Sequence, residues 1–389
     1  MTSYNVFQQV FKLSFASNLV RKVEDPAPEL EKELAGALAD ISPEWTVSWG
    51  PVVWKEFTRN PVAVQGNAWF VAYNQSLRFD DGQSYPTYVV AIAGTTGVYD
   101  VAKEDAACGQ VVDIDDWAVP GLTCIQSAPQ PIQNTASLSS ETAYISNGFA
   151  QALFHILNAT PQGSTQSLPD FLQSALKSQS DAKIVITGHG LGGALAPLLA
   201  YVLAKTETVP QANMYAYPTA GPSPGNMAFV NNFGRIFPSN PGKLTGYQNW
   251  NVNVVNPLDI VPCAYCTDPE HNTLVLQSIP TMYGNPSLGI VNTAVEHLEK
   301  LAGRLYYPLK YATIDSPVPV PSPAPGDFKE WRQIALSQHI DAYKEVILGN
   351  STPEEQDMNQ EDTMALAVPG VLGCRWKELG MSPSSIRRH

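Results

Sequence analysis

Basic side chains are scarce in this chain. Its 389 residues hold 23 Lys+Arg against 36 Asp+Glu, a formal net charge of -13 at pH 7. Negative charge in that excess repels phosphodiester backbones and anionic headgroups alike, so nucleic acid is not an expected partner. Long apolar runs are missing as well. No stretch of about 20 residues is apolar enough to read as a bilayer span, and a soluble chain is expected. The N-terminus, Met1 to Lys22, lacks the early positive charge and apolar core of a secretory signal. The expected location is the cytoplasm, or outside the cell by a route without a classical signal. Cysteine is sparse too. Cys108, Cys124, Cys263, Cys266 and Cys374 are an odd, scattered set, too few for a disulfide scaffold. Cys263-Ala-Tyr-Cys266 lacks the second pair that a zinc site needs, so no metal is expected. Whether Cys108 and Cys124, or Cys263 and Cys266, are bridged stays open.

What the chain does contain is a regular alternation. Short apolar, β-branched runs at Ala68 to Ala72, Tyr88 to Ala93, Lys183 to Thr187, Asn213 to Tyr217 and Val252 to Val255 read as buried strands. Helical stretches fall between or beside them at Ser139 to Leu157, Leu168 to Lys177, Leu191 to Lys205 and Pro224 to Ile236. The expected class is α/β, with a mostly parallel sheet flanked by helices on both faces. Residues 1–65 read as a helical extension packing on the main body, through the amphipathic stretch Glu29 to Leu38. Residues 66–350 form the main domain and 351–389 a tail. Two stretches stand out inside the domain. Residues 97–147 are longer than a connection needs, which marks a lid or binding loop as readily as a surface insertion; Trp117, Val119, Leu122 and Ile125 are its apolar side chains. Asp315 to Asp327 carries five prolines and should run extended.

The decisive stretch is Lys183 to Ala196, KIVITGHGLGGALA: a strand, a glycine-rich turn and a helix opening on small residues. Gly188, Gly190 and Gly193 satisfy the dinucleotide pattern G-x-G-x-x-G, but the acidic residue needed at the end of the next strand is missing, since Met214 to Tyr217 ends without one. The second chemistry with this layout is the nucleophile elbow G-x-S-x-G, whose small flanking residues let a serine project at the helix start. Gly188-His189-Gly190-Leu191-Gly192 is that motif with glycine at its centre. The stretch resembles the GHSLGGALA of class 3 (fungal-type) lipases and departs from it at one position, Gly190. Other landmarks follow in the family's order. Ala91 to Thr96 resembles its strand-ending F-R-G-T turn without the arginine, Ile145 to Phe149 keeps the Gly-Phe of V-H-x-G-F, and Gly225 to Phe229 matches G-N-x-A-F.

The resemblance implies an α/β-hydrolase fold and a triad in the order nucleophile, acid, histidine. Asp259, in Asn256-Pro-Leu-Asp-Ile-Val-Pro262, matches the family's acid turn. Of the histidines beyond it, His297 sits in an amphipathic helical stretch and His271 beside Asp268 and Glu270, whereas His339 heads an H-x-x-x-Y stretch like the family's, reaching Tyr343. His339 is therefore the expected base, opening a loop-to-helix junction. Thr95 and Leu191 are the matching oxyanion donors. An ester or acyl-lipid substrate is implied, with transient contact at a lipid interface and no cofactor. Glycine at 190 has no side chain to attack with, so the chain as written is expected to bind esters without turning them over. A deliberate exchange of serine for glycine, a natural pseudoenzyme, and a stand-in nucleophile at Thr187 or Thr96 are the three accounts of that glycine.

Overall fold

A computed structural model of the chain describes residues 4–19, 28–55, 65–94, 108–121, 126–133, 138–241 and 246–349. Three strands open the sheet as an antiparallel meander: β1 (Thr46–Lys55), β2 (Gln65–Arg78) and β3 (Ser84–Ile92). Four strands extend it in parallel: β7 (Lys183–His189), β8 (Met214–Thr219), β11 (Asn253–Val255) and β12 (Tyr311–Thr313), in the order β1-β2-β3-β7-β8-β11-β12, while β9 (Asn240–Pro241) and β10 (Asn249–Trp250) pair as a separate antiparallel ribbon. Each of the expected runs lies in or across one of these strands. β1 lies inside the stretch read as a helical extension and forms an edge of the sheet; its Gly50-Pro51 step breaks the alternation that would have marked it.

Side chains of the central strands alternate between two cores, as the two-residue period of a strand requires. On one face Val90, Ile92, Ile184 and Ile186 pack with α4 (Asn147–Asn158), α5 (Leu168–Ser178) and α6 (Leu191–Lys205). On the other, Val89, Ala91 and Val185 pack with α1 (Val6–Ala16), α2 (Pro28–Ile41) and α10 (Asp341–Leu348). Helix α1 starts at a capping box, with Asn5 and Gln8 satisfying each other's backbone donors. It buries Val6, Phe7, Val10, Phe11 and Leu13 against the sheet.

Within the interval 97–147 the described residues form a platform. Strands β4 (Gln110–Asp113), β5 (Ile132–Gln133) and β6 (Tyr144–Ser146) form a small sheet in the order β5-β4-β6, and a short helix α3 (Ile114–Trp117) follows β4. The expected helix from Ser139 therefore starts only at Asn147, because Tyr144 to Ser146 pair with Val111 to Asp113. Val111, Val112, Ile114 and Trp117 are buried in the main core, while Val119 is exposed. Asp115 accepts from Tyr201 Oη at 2.6 Å and lies 3.1 Å from Lys205 Nζ. Both partners sit in the far half of α6, about 15 Å (Tyr201) and about 21 Å (Lys205) along the helix from its first residue. Leu122 and Ile125 lie outside the described residues. Three further helices complete the frame: α7 (Met227–Ile236), α8 (Gly289–Ala302) and α9 (Phe328–His339). The proline-rich stretch before α9 carries no helix or strand. No helix among the described residues is long and apolar enough to cross a membrane.

Candidate active site

The turn between β7 and α6 is shaped by close backbone packing. A Cβ on Gly188 would stand 2.3 Å from the main chain of Gly192, and a Cβ on Gly192 would stand 2.3 Å from the carbonyl oxygen of Ile92. Only glycine fits at either position. Between them Gly190 holds φ 60 and ψ -121, a left-handed conformation that glycine adopts without strain and a serine would have to be held in. Leu191 is the first residue of α6, so its N–H is one of the donors that a helix start leaves free to face a ligand, with the positive end of the helix dipole behind it. Thr95, the other expected oxyanion donor, and Thr96 lie outside the described residues. Gly94 runs beside the elbow, its Cβ position 3.7 Å from Leu191 N. Thr187 is fully buried and donates to the Tyr217 carbonyl at 2.8 Å, which removes it as a stand-in nucleophile.

Strand β11 delivers the acid. Beyond its end Asn256 Oδ1 accepts from Leu258 N, and a turn from Asn256 O to Asp259 N brings Asp259 inward, fully buried. A buried carboxylate needs its oxygens satisfied. Asp259 Oδ1 accepts from Val261 N at 3.0 Å, and Oδ2 accepts from His339 Nδ1 at 2.7 Å and from Tyr343 Oη at 3.0 Å. Tyr343 Oη in turn accepts from Asn256 N at 2.9 Å, so the tyrosine ties the acid to its own turn. Burial, with the Asp259 charge beside it, pushes the Tyr343 phenol well above its ordinary range, which keeps it a donor. The role of Tyr343 escaped the sequence reading, although the H-x-x-x-Y spacing contained it.

His339 is the histidine brought to this acid. It ends helix α9 and does not open one; α10 follows after Ile340. Its Nδ1 faces Asp259, and its Nε2 lies 3.0 Å from the point where a Cβ on Gly190 would stand. That is the order a relay needs: carboxylate, imidazole, nucleophile position. The two competing histidines stay away. His271 pairs with Asp268 at the surface, with 68% of its side chain exposed, and His297 is half-buried on α8.

The elbow histidine is also built in. His189 Nδ1 lies 2.8 Å from Thr219 Oγ1, and its Nε2 lies 2.7 Å from the carbonyl oxygen of His339. Strand β8 ends at Thr219 without a carboxylate, so the ribose contact of a dinucleotide site is lacking. Cys263 and Cys266 are buried free thiols; Cys108 is buried as well, and Cys124 lies outside the described residues. Burial pushes the Cys263 thiol up to about 12, against the thiolate that a metal requires. Among the described residues the one cluster with metal-ligand chemistry is Asp268, Glu270 and His271, near the surface.

No curated protein matches the chain. Among solved structures the chain is similar to M37 lipase, at 21% identity over 92% of this chain and 97% of that one, with a TM-score of 0.62. It also matches a lipase from Rhizopus microsporus var. chinensis, at 16% identity over 68% and 69% of the two chains with a TM-score of 0.40. A Rhizomucor miehei lipase–propeptide complex matches at 17% over 66% and 60%, with a TM-score of 0.38. The strand order, the strand-to-helix elbow and the likeness to M37 lipase establish the α/β-hydrolase fold. Over residues 110–267, the stretch that holds the small sheet, the elbow and Asp259, the chain matches the model of the class 3 lipase family.

Proposed function

We propose that this chain is a class 3 lipase-type protein whose site receives carboxylic esters of acyl lipids, and that glycine at the nucleophile position leaves it binding such esters without turning them over. One observation carries the reading: His339 bridges Asp259 at 2.7 Å on one side and the Cβ position of Gly190 at 3.0 Å on the other. With serine at 190, His339 Nε2 would take the hydroxyl proton as the oxygen attacked the ester carbon, and Asp259 would hold the tautomer and steady the imidazolium. The Leu191 N–H would meet the oxyanion, with Thr95 as its partner by resemblance to the family. Without the hydroxyl no acyl-enzyme forms. What remains of oxyanion stabilisation and substrate positioning amounts to roughly 10³ to 10⁴ over water, negligible beside a working enzyme.

The test is Gly190→Ser assayed on short and long p-nitrophenyl esters and with a serine-directed organophosphonate. The reading expects hydrolysis and covalent labelling at position 190, with neither in the chain as written. A folded Gly190→Ser variant that stays inert across a broad ester panel yet binds a non-hydrolysable ester analogue favours the second reading, a pseudoenzyme that uses the pocket as an acyl receptor. The close approach of the imidazole to Gly190 supports that alternative, since a site settled around glycine has to open for a larger side chain. Inertness without binding rejects both.

A further inference from the structure

Resting on the hydrolase reading above, we propose that His189 is a positioning residue: it clamps the main chain of His339 to the sheet, and through its ring the N-terminal helix α1 becomes part of the support for the catalytic base. His189 ends β7, in register with Thr219 at the end of β8, and is 5% exposed. The His339 carbonyl only accepts, so His189 Nε2 must carry its hydrogen and donate across 2.7 Å. In the neutral ring that leaves Nδ1 as the acceptor for the Thr219 hydroxyl at 2.8 Å. The hydroxyl's other acceptor, Gly188 O, lies farther off at 3.4 Å.

This arrangement completes the control of the His339 ring. Asp259 fixes Nδ1 from one side and Asn256 Nδ2 holds the carbonyl of the preceding residue, Gln338, at 2.8 Å, but neither contact reaches the carbonyl of His339 itself. His339 sits at the end of α9, where Ile340, at φ -117 and ψ -60, breaks the helix before α10. A junction of two helix ends is a place where the chain can drift. The hydrogen bond from His189 ties that junction to the residue next to the nucleophile position. Base and nucleophile position therefore share one anchor, and a misplacement of about 1 Å between such groups costs up to about 100-fold in rate.

The ring is itself held in an aromatic box. Phe15 and Phe11 of α1 lie 4.9 and 6.2 Å away between centroids, Tyr343 lies 5.0 Å away and the His339 ring 4.5 Å. The box has a chemical purpose besides packing. Burial foremost, then the neighbouring His339 ring and Lys344, hold the His189 pKa well below its ordinary value. A neutral His189 keeps its acceptor for Thr219, and it adds no second positive charge when His339 takes up the serine proton 4.5 Å away.

Two replacements separate positioning from packing. His189→Gln keeps a donor near the Nε2 position but loses the ring; His189→Phe keeps the ring and loses both bonds. In the Gly190→Ser background, positioning requires His189→Phe to lower kcat by about 10- to 100-fold on p-nitrophenyl butyrate with KM changed less than about threefold. His189→Gln should recover most of that loss. The same pair is made in the chain as written and examined by proton NMR for the low-field Nδ1–H signal of His339 against Asp259, identified by its loss in Asp259→Asn. The signal should persist in His189→Gln and broaden or shift in His189→Phe. If Gly190→Ser is inactive the hydrolase reading fails, while the NMR comparison still decides the clamp. His189→Phe matching or exceeding His189→Gln in both measurements, with losses following thermal stability, would overturn the proposal and leave His189 as core packing.

Discussion

His339 Nε2 stands 3.0 Å, and Cε1 3.4 Å, from the place a Cβ on Gly190 would occupy. A side chain there makes the imidazole give by a few tenths of an ångström, and it puts a non-glycine residue at φ 60. Gly190→Ser is therefore expected to gain activity while losing stability, by about 1–3 kcal/mol for the backbone strain. Gly190→Ala should lose a similar amount and gain nothing. Urea unfolding of the three proteins measures this. Equal stability in all three would mean that residue 190 relaxes out of the elbow conformation.

Asp259 and Tyr343 should behave differently when cut back in the Gly190→Ser background. Asp259→Asn is expected to lower kcat by about 10⁴, because the amide cannot hold the His339 tautomer. Tyr343→Phe keeps the carboxylate but removes one donor to Oδ2 and the acceptor of Asn256 N. It should cost about 1–3 kcal/mol of stability and reduce kcat far less than Asp259→Asn does. His271→Ala and His297→Ala should leave steady-state kinetics within about twofold, since neither residue reaches the acid. A large loss with His297→Ala would remove His339 from its assigned place.

The depressed pKa of His189 predicts an acid-side instability. In the unfolded chain the imidazole titrates near about 6.5, whereas in the folded chain burial and His339 keep it neutral to much lower pH. Below pH 6.5 the unfolded state binds the proton that the folded state refuses. Stability present above that pH is then lost as pH falls, by about 1.4 kcal/mol per unit. Urea midpoints of the parent chain and His189→Gln between pH 7.5 and pH 5 test it. The variant should show the shallower decline, and parallel slopes would assign the acid sensitivity to another group.

Trimming residues 110–135 should unfold the protein. Val111, Val112 and Ile114 are at most 2% exposed, and Asp115 is tied to Tyr201 and Lys205. A loop hanging over the pocket would tolerate removal; a platform with its strands in the core should not. Far-ultraviolet circular dichroism with a thermal melt distinguishes them, and a folded deletion variant with an altered chain-length preference would restore the covering role to this segment.

The elbow and its partners were legible because their chemistry constrains residue type. Gly188 and Gly192 are glycines for steric reasons, and among the histidines that follow Asp259 the likeness of His339 to Tyr343 to the family's H-x-x-x-Y stretch pointed to His339. What stayed hidden depends on partners distant in the chain. Tyr144 to Ser146 read as part of a helix from Ser139, whereas they pair with Val111 to Asp113. β1 was masked by Gly50-Pro51. Helix α1, with Val6, Phe7, Val10 and Phe11 at helical spacing, went unread, and so did its contact with His189, which no local pattern encodes. Equally, nothing around Gln338-His339 in the sequence announced that His339 would close a helix.

The buried thiols of Cys263 and Cys266 offer a use unrelated to catalysis. Cys263 lies four residues past Asp259, with its Sγ 3.7 Å from the Asp259 carbonyl, and burial leaves almost none of it as thiolate at neutral pH. An alkylating reagent therefore has to wait for the Asp259 turn to open. The pace at which iodoacetamide modifies Cys263 becomes an intrinsic clock for that opening, readable by mass spectrometry without any added label, in the chain as written and in Gly190→Ser alike.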